Sequence, residues 1–188
     1  MEEAKLLEQQ QALDNFLSVK DYRNAINLAL SLNQPHRLLT IFQDVMMATE
    51  HRHLLSAEDG ADDSAQRDQP AIMGSVSVDQ VIGSLAPDQL ERLLGYVRNW
   101  NTNGKFARIA QATLYCVLTQ YTSEVILSLP SAKDLISAIQ PYSERHFTRL
   151  DNLLTDSFIV DYTLHAMDSV NPAGMEALTI GNDDSDYE

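Results

Sequence analysis

The sequence is poor in the residues that break helices and in those that cross-link chains. Its 188 residues include 7 Gly, 6 Pro and a single cysteine, Cys116. So few breakers over this length favour helices over a turn-rich β-sandwich. One cysteine excludes an internal disulfide, and its place in the apolar run 114–118 indicates a buried thiol in a reducing compartment. The alternative, a catalytic cysteine, lacks a nearby basic group that would activate the thiol.

Positive charge is also scarce. Lys and Arg total 13 against 27 Asp and Glu, so the formal net charge is −14. Residues 50–70 and 181–188 each contribute −4 of it. A surface of this sign repels phosphate and argues against nucleic-acid binding as the main activity. An apolar run of about 18 residues, which a membrane span would need, is absent, and the N-terminus lacks the pattern of a signal peptide.

Apolar residues recur at helical spacing over most of the chain. The predicted helices cover about 4–19, 22–32, 36–48, 78–85, 87–98, 105–121, 123–129, 132–140 and 144–168. Pro141 is expected to end one helix and Ser143 to cap the next. The pattern predicts an all-α fold, an irregular bundle or solenoid-like array of antiparallel helical hairpins. The helix at 105–121 is apolar over more than half its circumference, so we expect it at the centre of the core.

A single helical domain is predicted over residues 1–168. Within it, residues 50–75 break the helical pattern, and residues 58–64 are acidic and almost free of large apolar groups. Burial cannot offset the entropy of ordering such a segment, so we expect a disordered surface insert. Residues 169–188 are expected to form a flexible acidic tail.

The residue pattern does not indicate an enzyme. It contains no nucleophile elbow, P-loop, dinucleotide fingerprint or zinc-protease motif. His51 and His53 flank Arg52 without further ligands at fixed spacing, so we interpret them as solvated loop residues. We therefore expect a non-enzymatic protein without a metal, a cofactor or a small-molecule substrate.

An aromatic cluster beside an Asn-rich turn is the first candidate partner-binding site. It consists of Tyr96, Arg98 and Trp100. Aromatic side chains together with Arg are typical anchors of protein interfaces. The alternative is that Trp100 packs at the end of the helix bundle.

A basic cluster near a predicted helix start is the second candidate site. It consists of Tyr142, Arg145, His146 and Arg149. Helical spacing places Arg145 and Arg149 on one face, where a phosphate or an acidic partner could dock. The alternative is salt bridging to neighbouring acids of the same helix.

Three blocks of polar and aromatic residues carry a resemblance to a known family. The blocks are residues 34–39, residues 93–102 running into 106–111, and residues 139–151 with 161–164. Ordinary helix chemistry does not require the polar runs of the second and third blocks. Over about 20–168 the chain resembles the C-terminal helical domain that follows the tandem WD-repeat propellers in a subunit of UTP-B.

This resemblance implies a function. UTP-B is a subcomplex of the small-subunit processome, which assembles in the nucleolus around precursor ribosomal RNA and U3 small nucleolar RNA. Similar C-terminal helical domains of several UTP-B propeller proteins associate with one another. The resemblance thus implies a nucleolar assembly domain that binds those homologous domains, contacts the RNA particle indirectly and needs no membrane. Association through shared apolar helix faces predicts an exposed apolar patch larger than a monomer normally carries.

Two alternatives remain. The first is direct RNA binding through Lys105, Arg108, Arg145 and Arg149, which predicts an affinity that falls steeply with salt. The second is a general α-solenoid adaptor, which would show repeated hairpins and bind proteins of membrane coats.

Overall fold

The fold of the described residues is entirely helical. The structure, a computed structural model, describes residues 2–58 and 71–170. Their helices are α1 (Glu2–Ser18), α2 (Tyr22–Ser31), α3 (Pro35–Glu58), α4 (Val76–Gly83), α5 (Pro87–Asn101), α6 (Ala107–Gln120), α7 (Ser123–Leu127) and α8 (Ala132–Val170). This part of the chain contains no strand, so the predicted all-α class is confirmed. None of its helices is both long and apolar enough to cross a membrane.

The chain divides into two structural units, residues 1–144 and residues 145–188. The first contains α1 to α7 and the beginning of α8, and the second contains the rest of α8. The single domain over 1–168 therefore stays a prediction. The expected tail lies outside the described residues from residue 171 onward.

Two helices hold the first unit together. Helix α2 packs against α1, α3, α4 and α5, and α6 packs against α3, α4 and α5. Asp21 caps α2, since its carboxylate accepts a hydrogen bond from the amide of Asn24 at 3.3 Å. Asn33 closes the turn into α3 with a φ of 54°, a left-handed conformation that Asn tolerates. Because α2 and α6 contact helices far away in sequence, this unit is an irregular bundle and not a regular solenoid.

Helix α6 is less central than its sequence predicts. One face is buried, through Ala107, Ile109, Ala110, Thr113, Cys116 and Val117. On the rest of the helix, however, Tyr115 is 62% exposed and Leu118 is 56% exposed. The apolar residues of α6 therefore exceed what its neighbours cover.

Part of the predicted disordered insert is ordered. Helix α3 continues to Glu58, well beyond its expected end, and only residues 59–70 of the insert lie outside the described residues. The chain after this gap is fixed by burial, because Met73 is fully buried. The Thr49 hydroxyl donates to the carbonyl of Gly74 at 2.7 Å. A side chain at Gly74, where φ is +85°, would also collide with Thr49, so this contact requires glycine.

Pro141 does not end a helix, and Ser143 does not cap one. Both lie inside α8, which is continuous from Ala132 to Val170. Proline removes one amide donor from the helix, yet its fixed φ is compatible with helical geometry. Ile139 is buried, and the Ser143 hydroxyl donates to the Ile139 carbonyl at 3.2 Å. Packing on the side of the helix opposite the exposed Pro141 therefore overrides its local effect.

Candidate partner-binding surface

Tyr96 and Trp100 belong to the core, which removes them from the candidate surface. They are only 8% and 6% exposed. The Trp100 ring lies edge-on to Phe42 with centroids 6.1 Å apart. The Tyr96 hydroxyl donates to Oδ1 of Asn33 at 2.5 Å, and burial raises the Tyr96 pKa while the charge of Arg92 opposes the rise. The alternative of a packing role for Trp100 agrees with this geometry, because aromatic bodies stabilise a core most when they are buried.

The remaining predicted partner-binding residues lie on or near the surface. Arg98 is exposed in the last turn of α5, and Tyr142 is half-buried in α8. Arg145 and Arg149 are exposed and line one shallow groove on α8, while His146 beside them is half-buried. Their role in binding a partner stays a prediction.

The groove that contains the two arginines has mixed charge. It is lined by Arg145, Thr148, Arg149, Asn152, Leu153 and Asp156. The carboxylate of Asp156 offsets part of the positive charge that a phosphate would need. An acidic partner with its own hydrogen-bond donors fits this lining better than a bare phosphate backbone does.

A polar network inside the first unit joins three helices. Asn101 is fully buried at the end of α5, and its amide donates to the Ile139 carbonyl and to the Ser143 hydroxyl, both at 3.1 Å. The Gln111 amide, from α6, donates to Oδ1 of Asn101 at 2.8 Å and to the Ser143 hydroxyl at 2.7 Å. Every contact of this network joins residues of the blocks that carry the family resemblance. Those polar residues therefore position α5, α6 and α8, with Asn101 fully buried and Gln111 and Ser143 half-buried.

The single cysteine has a buried thiol that is not activated as a nucleophile. Cys116 is fully buried, and its sulfur lies 3.7 Å from Oδ1 of Asp79. Burial raises the pKa of the thiol to about 12, and the Asp79 carboxylate adds to the rise. Asp79 in turn accepts hydrogen bonds from the amides of Ile72 and Met73 at 2.7 and 3.0 Å. A thiol that stays protonated at neutral pH is a poor nucleophile, so this cluster fixes the chain after residue 70 and offers no reaction centre.

The largest unexplained surface in the described residues is the apolar side of α8. Nine large side chains there are 54–75% exposed. This α8 stripe consists of Phe147, Leu150, Leu153, Leu154, Phe158, Val160, Tyr162, Leu164 and Met167. The exposed apolar area is on the order of 1,000 Å², whereas the largest patch on a typical monomer is roughly 300–600 Å². This agrees with the exposed patch that an assembly domain predicts.

The sequence analysis did not place the stripe among the site residues. The sequence predicted a helix at 144–168 and an exposed apolar patch on the domain, without assigning the patch to this helix. One signal was available: the apolar residues of this helix spread over more of its circumference than a single core-facing stripe needs. Asp161, which lies between Phe158 and Leu164 along the stripe, was also missed.

The cations proposed for RNA binding are partly engaged within the protein. Arg108 forms an ion pair with Glu50 on α3. The Lys105 ammonium lies 5.8 Å from the centroid of the Phe106 ring. A cation already paired with a carboxylate contributes little to phosphate binding, so the structure does not favour the RNA alternative.

Comparison with known proteins identifies the family. A family model described as the Utp13 specific WD40 associated domain matches residues 10–167. The chain belongs to this family. The match includes all three polar blocks, so the resemblance inferred from the residues is confirmed. The family is described as an associated domain of WD40 proteins, and the description names no catalytic activity.

Longer proteins contain similar domains. U3 small nucleolar RNA-associated protein 13 of Saccharomyces cerevisiae is 36% identical over 170 residues, which is 90% of this chain and 20% of that protein. Transducin beta-like protein 3 of Rattus norvegicus is 34% identical over 181 residues, 94% of this chain and 20% of that protein. The human protein of that name is 33% identical over 164 residues, with shares of 87% and 18%. The chain thus spans about a fifth of the length of the curated relatives it matches.

Proposed function

We propose that this Utp13-type domain is a protein–protein assembly domain of UTP-B. It binds the homologous C-terminal helical domains of the other UTP-B propeller proteins. Through them it supports small-subunit ribosomal RNA processing and ribosome biogenesis in the nucleolus. Its contact with precursor ribosomal RNA and the U3 particle is indirect. The name of the yeast relative, which associates that protein with U3 small nucleolar RNA, supports this placement.

The α8 stripe is the observation that carries the proposal. Apolar area removed from water stabilises an interface by about 25 cal/mol per Å² before the costs of association. An area on the order of 1,000 Å² is comparable with the roughly 800 Å² that each partner contributes to a standard interface. Domains tethered to neighbouring propellers would also meet at raised effective concentration, which strengthens association without new contacts.

Co-expression tests the proposal. The tagged chain is expressed together with the homologous helical domain of each other UTP-B propeller protein, and the purified material is treated with ribonuclease. We expect at least one homologous domain to stay bound in stoichiometric amount, because the contacts are between proteins. Failure to retain every homologous domain would contradict the proposal. Loss of the complex on ribonuclease treatment would instead indicate an RNA bridge, and it would contradict the proposal equally.

A further inference from the structure

We infer that the α8 stripe binds two neighbouring helices of one homologous UTP-B domain, and that one of these helices places a cationic side chain opposite Asp161. The inference rests on the proposed function and specifies how that surface is occupied. It follows from the width of the stripe, from its area and from the position of one acid, Asp161, where its two sides adjoin.

The stripe is too wide for one partner helix. Successive residues of an α-helix are about 100° apart, so the nine side chains span roughly 200° of the circumference. A coiled coil of two helices buries a much narrower line of side chains along each helix, which we call a seam. Here two seams run side by side and share Leu150. The first seam is Leu150, Leu153, Ser157, Val160, Leu164 and Met167, spaced alternately by three and four residues, and the second is Phe147, Leu150, Leu154, Phe158 and Tyr162.

Two adjacent seams are typical of a helix that fits between two others in a bundle. A single partner helix on the first seam would leave Phe147 and Phe158 in water, at 71% and 65% exposure. A second helix beside it covers both rings. A helical hairpin from one domain supplies the two helices together, so only one association step is needed.

Asp161 determines the chemistry of the partner. It is exposed in the free chain and lies between Phe158 and Leu164, seven residues after Leu154, in the region where the two seams adjoin. A docked hairpin would take its carboxylate out of water, and a buried carboxylate without a partner is strongly destabilising. Residues 157–165 contain no Lys or Arg. The exposed His165 is the one basic residue in this range. A permanently charged cation must therefore come from the partner, and Arg suits a desolvated carboxylate best.

A second copy of this chain fits the surface less well than a partner that carries basic residues there. Each copy carries a formal charge of −14, so pairing two copies brings together two strongly acidic molecules. A partner with basic residues at this interface gains attraction where a second copy meets repulsion.

Photo-crosslinking within the assembled complex tests the two-helix arrangement. A benzophenone amino acid replaces Phe158 on the second seam or Val160 on the first. Ile159 provides the matched control, since it is also an apolar residue and is 58% exposed, yet it points away from both seams. We expect residues 158 and 160 to crosslink to two different helices of one homologous domain, with at least tenfold less product from 159. Products on a single helix, on a second copy of this chain, or equally from 159 would overturn the inference.

Affinity measurements give a second, independent test. We expect Leu154→Gln/Phe158→Gln and Val160→Gln/Leu164→Gln each to weaken binding to the homologous domain at least tenfold, with Ile159→Gln within twofold of the unmodified chain. These side chains are solvent-exposed, so helix content measured by circular dichroism should not change. Equal affinity of all variants would overturn the inference and leave the proposed function intact, whereas no binding by the unmodified chain would contradict the proposed function itself.

A charge exchange tests the cation. We expect Asp161→Lys to weaken binding at least tenfold, and replacement of the partner's crosslinked Arg or Lys by Glu to restore it. Ser157→Lys, one turn earlier on the first seam, is the control. Replacement of the same partner residue by Glu should not restore the binding of this variant. Unchanged affinity of Asp161→Lys, or the absence of rescue, would remove the cation from the inference.

Discussion

At the scale of single residues, the polar blocks that identify the family have a structural role. Asn101, Gln111 and Ser143 meet in a network of short hydrogen bonds between three helices. Side chains buried in this way are retained only when their donors and acceptors are satisfied. Together they hold the early turns of α8 against α5 and α6. The candidate sites drawn from these blocks thus contain both packing residues and surface residues.

Removing the buried amide of Asn101 should destabilise the domain. Asn101→Ala deletes the donors to Ile139 and Ser143 and leaves the Gln111 amide without one acceptor. We expect a loss of about 2–3 kcal/mol in the free energy of unfolding, since buried groups lose their partners without gaining water. Urea denaturation followed by circular dichroism measures the loss. Asn99→Ala, an exposed position two residues earlier, should change the value by less than about 0.5 kcal/mol; equal effects of the two substitutions would contradict this role.

At the scale of the element, the beginning of α8 is buried and its later turns are exposed. Its beginning is held in the first unit through Leu135 and Ile139, which are 7% and 3% exposed. The Ser131 hydroxyl, just before the helix, donates to the carboxylate of Glu91 on α5. The later turns carry the exposed stripe. The beginning of this helix therefore packs in the core, and its later turns carry the surface that we propose for a partner.

Pro141 should be the weakest point of α8. It removes the amide that would bond to the carbonyl of residue 137, and an interior proline costs about 3 kcal/mol relative to alanine in a helix. We expect Pro141→Ala to slow amide hydrogen exchange of residues 137–145 by roughly tenfold or more, which corresponds to about 1.4 kcal/mol of local stability. Gln140→Ala, the exposed neighbour, should have a much smaller effect. Unchanged or faster exchange in Pro141→Ala would show that the proline is not a weak point.

At the scale of the whole molecule, net charge distinguishes a nucleic-acid partner from a protein partner. A formal charge of −14 opposes approach to phosphate, whereas an apolar stripe with an embedded acid suits a partner with basic residues. The domain is thus suited to a site within a protein assembly around RNA. Under the proposed function, direct contact with the nucleic acid would come from other proteins of the assembly.

RNA binding by the isolated chain should accordingly be very weak. With a structured RNA hairpin as the probe, we expect a Kd above about 100 µM near physiological salt, the weak limit of non-specific binding. Fluorescence anisotropy over a salt series measures it. A micromolar affinity that falls steeply with salt and is lost in Arg145→Gln/Arg149→Gln would support direct RNA binding instead. Ile159→Gln is the control that should leave any such affinity unchanged.

Much of this architecture could be predicted from the sequence because it depends on local chemistry. Helical spacing and the scarcity of breakers determined the all-α class, and the Asp21 cap follows from the preference of a carboxylate for free amides. The buried state of Cys116 follows from its apolar neighbours. The three polar blocks were sufficient to identify the family. Each of these features involves residues that are close together in sequence or spaced at a helical period.

Only the tertiary structure decided which apolar and polar side chains face water. Trp100 and Phe158 are both aromatic residues on amphipathic helices, yet one is 6% exposed and the other 65% exposed. The difference depends on whether another helix packs on that face, and helical periodicity contains no information about neighbours. The same holds for Pro141, whose local tendency to end a helix was overridden, and for Met73, which is buried although it adjoins an acidic segment. Periodicity identifies a face, and long-range packing determines whether that face becomes core or interface.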